Sequence, residues 1–216
     1  MSYRKFDTCF FERYAKLTLE RILGSKYASL VNMDRPDLQN EDKSLGIEVT
    51  RAMEPDRANA NQLLKELAGM QIKEEHRADM QKIVDCGYGY GLPGLDYVGY
   101  IEQEYWSLAQ PLQRILASKI EKVAKGFYGN FNEFGLYVFC RDLLDINQVE
   151  QAVTYTLLLQ DNLDLRFNTI YLSQSDTLYV CRLTDNLIYE GVENRIDTYS
   201  IPDELRRDLF FKSLGY

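Results

Sequence analysis

One strand constrains this chain more than any other stretch. From Leu45 to Thr50 the side chains alternate, so the two-residue period of an extended segment sends Leu45, Ile47 and Val49 to one face and Gly46, Glu48 and Thr50 to the other. Glu48 is thereby placed mid-strand, beside a residue with no side chain. A carboxylate in that position is costly unless it is paired, hydrogen-bonded or bound to a cation. Eleven positions earlier stands Asp37, preceded by Pro36. The short apolar run Tyr27 to Val31 leads into Asp34-Arg35-Pro36-Asp37, and two adjacent strands joined around Asn40 to Ser44 would let Asp37 meet Glu48 across the hairpin. Two converging carboxylates are what Mg²⁺ takes beside waters and phosphate. An isolated glutamate on a half-exposed strand reads instead as a surface acid; the pairing with a Pro-Asp turn sets this one apart. The other Pro-Asp pairs, at 55–56 and 202–203, stand where helices start, where both residues serve as caps.

Around this hairpin the chain alternates between helical and extended patterns. Phe11, Tyr14, Leu19 and Ile22 recur at helical spacing over Thr8 to Leu23, with Glu12, Lys16 and Glu20 four apart on another face and Gly24 as the stop. Asp56 caps a helix through Ala68, helical pattern resumes from Gln71 to Val84, and CGYGYGLPGLDYVGY between Cys86 and Tyr100 excludes a regular helix. A helix from about Glu104 to Lys125 precedes the apolar run Gly135 to Cys140, which reads as a buried central strand. Asp145 with Gln148 forms a capping-box pattern for a helix over Ile146 to Leu159. Strands follow at Phe167 to Leu172 and Thr177 to Leu183, no strand is read beyond them, and Ile201-Pro202-Asp203 opens a last helix. This order predicts an α/β sandwich with a mixed sheet.

Composition narrows the function. A chain of 216 residues supports one sizeable core, and 45% hydrophobic with 27% charged residues is ordinary for a globular protein. No long apolar run marks a leader or a membrane span, and Cys9, Cys86, Cys140 and Cys181 lack a C-x-x-C pair, so a cytoplasmic protein with reduced thiols is expected. The single histidine, His76, lies in the polar run KEEHRADM, which excludes a histidine-based triad or an H-E-x-x-H zinc helix. Gly89, Gly91 and Gly94 match G-x-G-x-x-G, but Pro93 interrupts the helix start and no strand precedes them, so no dinucleotide site is read. A net charge of −8 opposes diffuse phosphate binding, and a nucleic-acid partner would need a local basic patch. Arg114, Lys119, Lys122 and Lys125 offer one stripe, unless Glu121 neutralises it.

A leading helix with Glu, a strand ending in Pro-Asp, and a strand carrying Glu two residues before the motif's lysine position resemble the PD-(D/E)XK nuclease superfamily, which includes restriction endonucleases. RPDLQ followed by GIEVT, with ILASKIEKVAKG ahead of FGLYVFC, is similar to bacterial nuclease-like proteins of undefined role. The likeness covers the order of elements over most of the chain, with its specific residues in about 18 positions, Arg35 to Ala52. It implies a three-layer α/β/α sandwich with a mixed β-sheet, restriction-endonuclease-like, as a single domain over 1–216 with a helical and Gly/Tyr-rich insertion at about 56–125. It also implies Asp37 and Glu48 as catalytic acids and ligands of Mg²⁺ or Mn²⁺, and Glu20 of the first helix as a third ligand.

The motif lysine is replaced by Thr50, which can hold a water but supplies no positive charge. Superfamily members recruit this lysine from other elements, and Lys119 or Lys122 are the first candidates, ahead of Lys43 and Lys65. Two functions are expected on this basis. One is a metal-dependent nuclease acting on DNA. The other is an inactive nuclease-fold protein that binds nucleic acid or a protein partner, for example in phage defence. Either is compatible with a homodimer and involves no membrane. A purely structural protein with Asp37 and Glu48 as surface acids is the third reading.

Overall fold

The computed structural model of the protein describes residues 8–52, 78, 109–140, 143–183 and 195–214. The sheet and its helices belong to the compact unit formed by Met1–Ala52 and Leu112–Tyr216. Apart from Ala78, the helices and the glycine- and tyrosine-rich loop read from about 56 to 100 lie outside the described residues, as do Lys65 and His76.

Seven strands form one mixed sheet in chain order: β1 (Val31–Asn32), β2 (Leu38–Gln39), β3 (Leu45–Ala52), β4 (Glu133–Cys140), β5 (Thr169–Ser173), β6 (Thr177–Arg182) and β7 (Ile196–Ser200). The three inner strands β3, β4 and β5 run parallel, and an antiparallel pair flanks them on each side. Parallel neighbours need crossovers, and helices supply them: α2 (Ala109–Ala124) precedes β4, and α3 (Ile146–Gln160) joins β4 to β5. Helix α1 (Thr8–Leu23) leads the described chain and α4 (Asp203–Ser213) closes it.

Each sheet face has its own core. On one, α2 buries Leu112, Leu116, Ile120 and Val123 at helical spacing and α3 buries Val149, Ala152 and Val153, both against Phe134, Leu136, Val138, Ile170 and Leu172. On the other, α1 buries Phe10, Tyr14, Ala15 and Leu19 against Leu45, Ile47, Tyr137 and Tyr171, with Leu209 of α4 beside them. Arg13 Nε donates to the Ser213 carbonyl at 2.7 Å and Arg21 pairs with Asp208 at 2.8 Å, tying α1 to α4. The protein is thus a mixed α/β protein with a seven-stranded mixed sheet and four helices among the described residues.

Several boundaries have visible causes. Gly24, at φ 100°, ends α1 where an L side chain would be strained. Asp145 and Gln148 exchange both bonds of a capping box at the start of α3. Gln160 holds Phe167 with two amide bonds, Nε2 to the Phe167 carbonyl at 3.0 Å and Oε1 from its N–H at 3.1 Å. Two readings are corrected. The run Tyr27 to Val31 is not the partner of β3: Ser25–Tyr27 is a 3₁₀ turn that buries Tyr27 beside Tyr171, hydroxyl to hydroxyl at 3.0 Å, and β3 pairs with Leu38–Gln39. Strand β7 is the second difference from the sequence pattern. It is an edge strand with partly exposed Ile196 and Tyr199, whose IDTYS carries too little hydrophobic alternation to announce itself.

Candidate active site

The strand pairing itself brings the two acids together. β2 and β3 are antiparallel with Leu38 opposite Ile47, and this is their last paired rung. One step further in the same register, Asp37 faces Glu48 across the pair. Because β2 is only two residues long, the outer edge of β3 continues past it, and the Asp37 carboxylate covers the next backbone donor: Val49 N–H donates to Asp37 Oδ2 at 2.7 Å.

Glu48 points to the α2 side of the sheet and is 6% exposed. Its floor is set by Gly46, where a Cβ would fall 2.8 Å from the Phe131 ring and 2.9 Å from Pro36, so a side chain there would displace both. Lys119, from the edge of the buried stripe of α2, reaches down to place Nζ 2.6 Å from Glu48 Oε1. Both side chains are largely buried, and each neutralises a charge that would otherwise be costly there. Tyr128, from the loop after α2, lies against Glu48. Its hydroxyl is buried and accepts or donates no hydrogen bond among the described residues. Burial first, and the Glu48 charge second, hold this phenol far above its usual range.

Asp37 is pushed up to about 6, mainly by burial and next by the charge of Glu48; the Val49 N–H and Lys119 pull it back, while Glu12 pushes it further up. Three acids and one ammonium therefore share one neighbourhood with negative charge in excess. A dication would relieve that excess. Mg²⁺ and Mn²⁺ keep waters and take one or two carboxylates beside phosphate, and the Asp37–Glu48 pair fits such a donor set. Among the described residues, no group of three or more His, Cys, Asp and Glu is disposed to hold a metal by itself.

Of the residues read from sequence, the structure brings Asp37, Glu48 and Lys119 together, with Thr50 two positions along β3, half-buried on the Glu48 face. Glu20 is not joined to them among the described residues. The acid of α1 that acts on Asp37 is Glu12, more than two turns earlier, held by the side-chain amide of Asn32 in β1. Glu12 and Glu20 share one helical line in the sequence, and only the position of β1 distinguishes them. Lys43 lies exposed at the hairpin tip, in the left-handed region at φ 58°. Of the two readings of the basic stripe, neutralisation holds in part: Lys119 is taken by Glu48, and Lys125, just past the end of α2, pairs with Glu121 at 2.6 Å. Lys122 instead lies over the Phe127 ring. Tyr128 had no signal in the sequence, since one tyrosine after a helix resembles the fifteen others. No helix among the described residues is long and apolar enough to cross a membrane.

No protein-family model, curated protein or solved structure matches this chain.

Proposed function

We propose that the protein is a divalent-metal-dependent nuclease that hydrolyses DNA phosphodiester bonds, with Asp37, Glu48 and Lys119 as its working groups. The observation that carries this reading is a buried ion pair on an inner strand, just past the end of its short neighbour β2, Lys119 Nζ to Glu48 Oε1 at 2.6 Å, with a second carboxyl opposite it pushed up to about 6. A carboxyl pushed up by burial and by a neighbouring charge, beside a buried ion pair, is the kind of arrangement that functional sites use. Asp37 keeps one oxygen beyond its bond to Val49, and Glu48 one beyond its bond to Lys119; these would hold Mg²⁺ or Mn²⁺. The cation, when bound, supplies a more acidic water and neutralises charge developing on the phosphate.

The chain's own residues do the remaining work. Lys119 supplies the positive charge that Thr50 lacks, and it is fixed by Glu48 so that its two remaining N–H donors serve a phosphate oxygen or a water. The Thr50 hydroxyl, on the same strand face, can orient that water. Tyr128 excludes bulk solvent beneath Glu48 and offers an O–H donor that stays protonated at any working pH.

A second reading is favoured by Thr50: a nuclease-fold protein that binds nucleic acid without cutting it, with Glu48 and Lys119 as a structural pair. Plasmid and single-stranded DNA incubated with Mg²⁺ or Mn²⁺ separate the two. Cleavage is expected for the natural chain, loss of at least a hundredfold for Asp37→Ala and Glu48→Ala, and loss for Lys119→Met that is partly restored by adding Thr50→Lys. Cleavage that survives both acid substitutions removes the site assignment, and the absence of cleavage under every condition leaves the binding reading.

A further inference from the structure

Beside the acid pair lies a cluster that the proposed chemistry does not use. Phe127 is 40% exposed, a costly placement for a large ring, and two cations rest on it: the Arg35 guanidinium carbon 4.5 Å and Lys122 Nζ 5.1 Å from its centroid. One ring thus gathers two cations, whose charged centres lie at most roughly 10 Å apart, about one Debye length at 0.1 M salt, so that an extended polyanion can meet both. Among the described residues neither has a strong ionic partner: Arg35 pairs with Asp34 at 3.4 Å in a solvent-exposed pair of little worth and Lys122 forms no ion pair, while Lys119 on the same helix and Lys125 just past its end are both engaged at 2.6 Å. Arg35 is also held at φ 64°, a region unfavourable for an arginine. Each member of the cluster adjoins a member of the acid site: Arg35 precedes Asp37 by two residues, Phe127 precedes Tyr128, and Lys122 follows Lys119 by three, less than one helical turn.

We propose that Arg35 and Lys122, positioned by Phe127, form a seat for the phosphodiester backbone of a nucleic-acid strand at the mouth of the acid site. The proposal rests on the nuclease reading for what happens to the strand, and not for whether the strand is held. A guanidinium presents a planar fork to two phosphate oxygens and an ammonium a point charge, so the pair grips backbone without reading bases. It also answers how a chain of net charge −8 meets a polyanion: locally, at one basic corner.

The test is fluorescence polarisation of labelled single-stranded DNA, duplex DNA and RNA oligonucleotides in EDTA, where no cut is made, over a series of NaCl concentrations. Three proteins are compared: the natural chain, Arg35→Gln with Lys122→Gln, and a control of equal charge change, Lys26→Gln with Lys125→Gln. Each lost phosphate contact lowers the slope of log affinity against log salt by about 0.9 for duplex or about 0.7 for single strands. The seat variant is expected to lose about 1.8 or about 1.4 of slope and at least tenfold of affinity at low salt, with the control unchanged. Lys122→Gln alone, at a helix surface, is expected to lose about half of that slope, so the proposal stays testable if the double variant fails to fold. A seat variant that binds like the natural chain, a control that loses as much, or a natural chain that binds none of the three overturns the seat. Because no cleavage is measured, the first two results leave the nuclease reading standing, and cleavage failure leaves the seat standing.

Discussion

Strands β3 and β4 are parallel neighbours of eight residues each, paired one to one from Leu45 opposite Glu133 to Ala52 opposite Cys140. On the face covered by α2 and α3, β4 presents Phe134, Leu136, Val138 and Cys140, all buried in one apolar core. The same rungs of β3 present Gly46, Glu48, Thr50 and Ala52. Glu48 lies directly opposite Leu136, so the face passes from dry core to buried ion pair in a single strand step, about 5 Å. Stability alone would place an aliphatic residue at both positions, because a buried ion pair replaced by well-packed apolar groups is often neutral or stabilising. The difference teaches that β4 is shaped by packing and β3 by something packing does not require.

Five substitutions, one of them made only in combination, break or sharpen that contrast. Lys119→Met leaves Glu48 buried without its partner and is expected to cost about 3–5 kcal/mol by denaturant unfolding, whereas Glu48→Leu together with Lys119→Met is expected to return to within about 1 kcal/mol of the natural chain. Leu136→Ala, on the dry side of the same rung, is expected to cost about 2–5 kcal/mol with no second substitution nearby able to restore it so simply. Asp37→Asn works in the opposite direction. The folded carboxyl titrates near 6 against an ordinary 3.8, so the fold prefers its protonated form: the stability this gives is whole below about pH 4 and lost as pH rises through 6. Asn keeps an oxygen for the Val49 N–H and carries no charge. A gain on the order of 1 kcal/mol is expected above pH 6, reduced from the full shift by partial exposure and vanishing toward pH 4, as followed by melting temperature against pH. Tyr128→Phe removes a buried hydroxyl that no described residue hydrogen-bonds and is expected to change stability least, a gain of up to about 1 kcal/mol.

How much of this was legible beforehand depends on range. α1, the capping box of α3 and the buried run of β4 depend on residues within a few positions of each other, and the structure has them at Thr8–Leu23, Asp145–Gln148 and Glu133–Cys140. The alternation in β3 likewise fixed the face of Glu48. What brings Asp37 opposite it is the antiparallel register of β2, which the composition of Tyr27 to Val31 disguised by looking more strand-like than Leu38–Gln39 does. Choosing Lys119 over Lys122 was beyond sequence, since three positions on one helix decide between reaching Glu48 and resting on Phe127. Glu12 and Tyr128 depend on where β1 and the loop after α2 fold back, contacts separated by tens of residues, which no local pattern encodes.

The central claim, that Glu48 and Lys119 serve chemistry and not stability, is tested most directly by assaying DNA cleavage in Mn²⁺ with the Glu48→Leu, Lys119→Met double variant beside the natural chain, on samples whose unfolding midpoints have been matched. The account predicts a double variant folded as firmly as the natural chain and without cleavage above background. Cleavage at the natural rate by the folded double variant would contradict it.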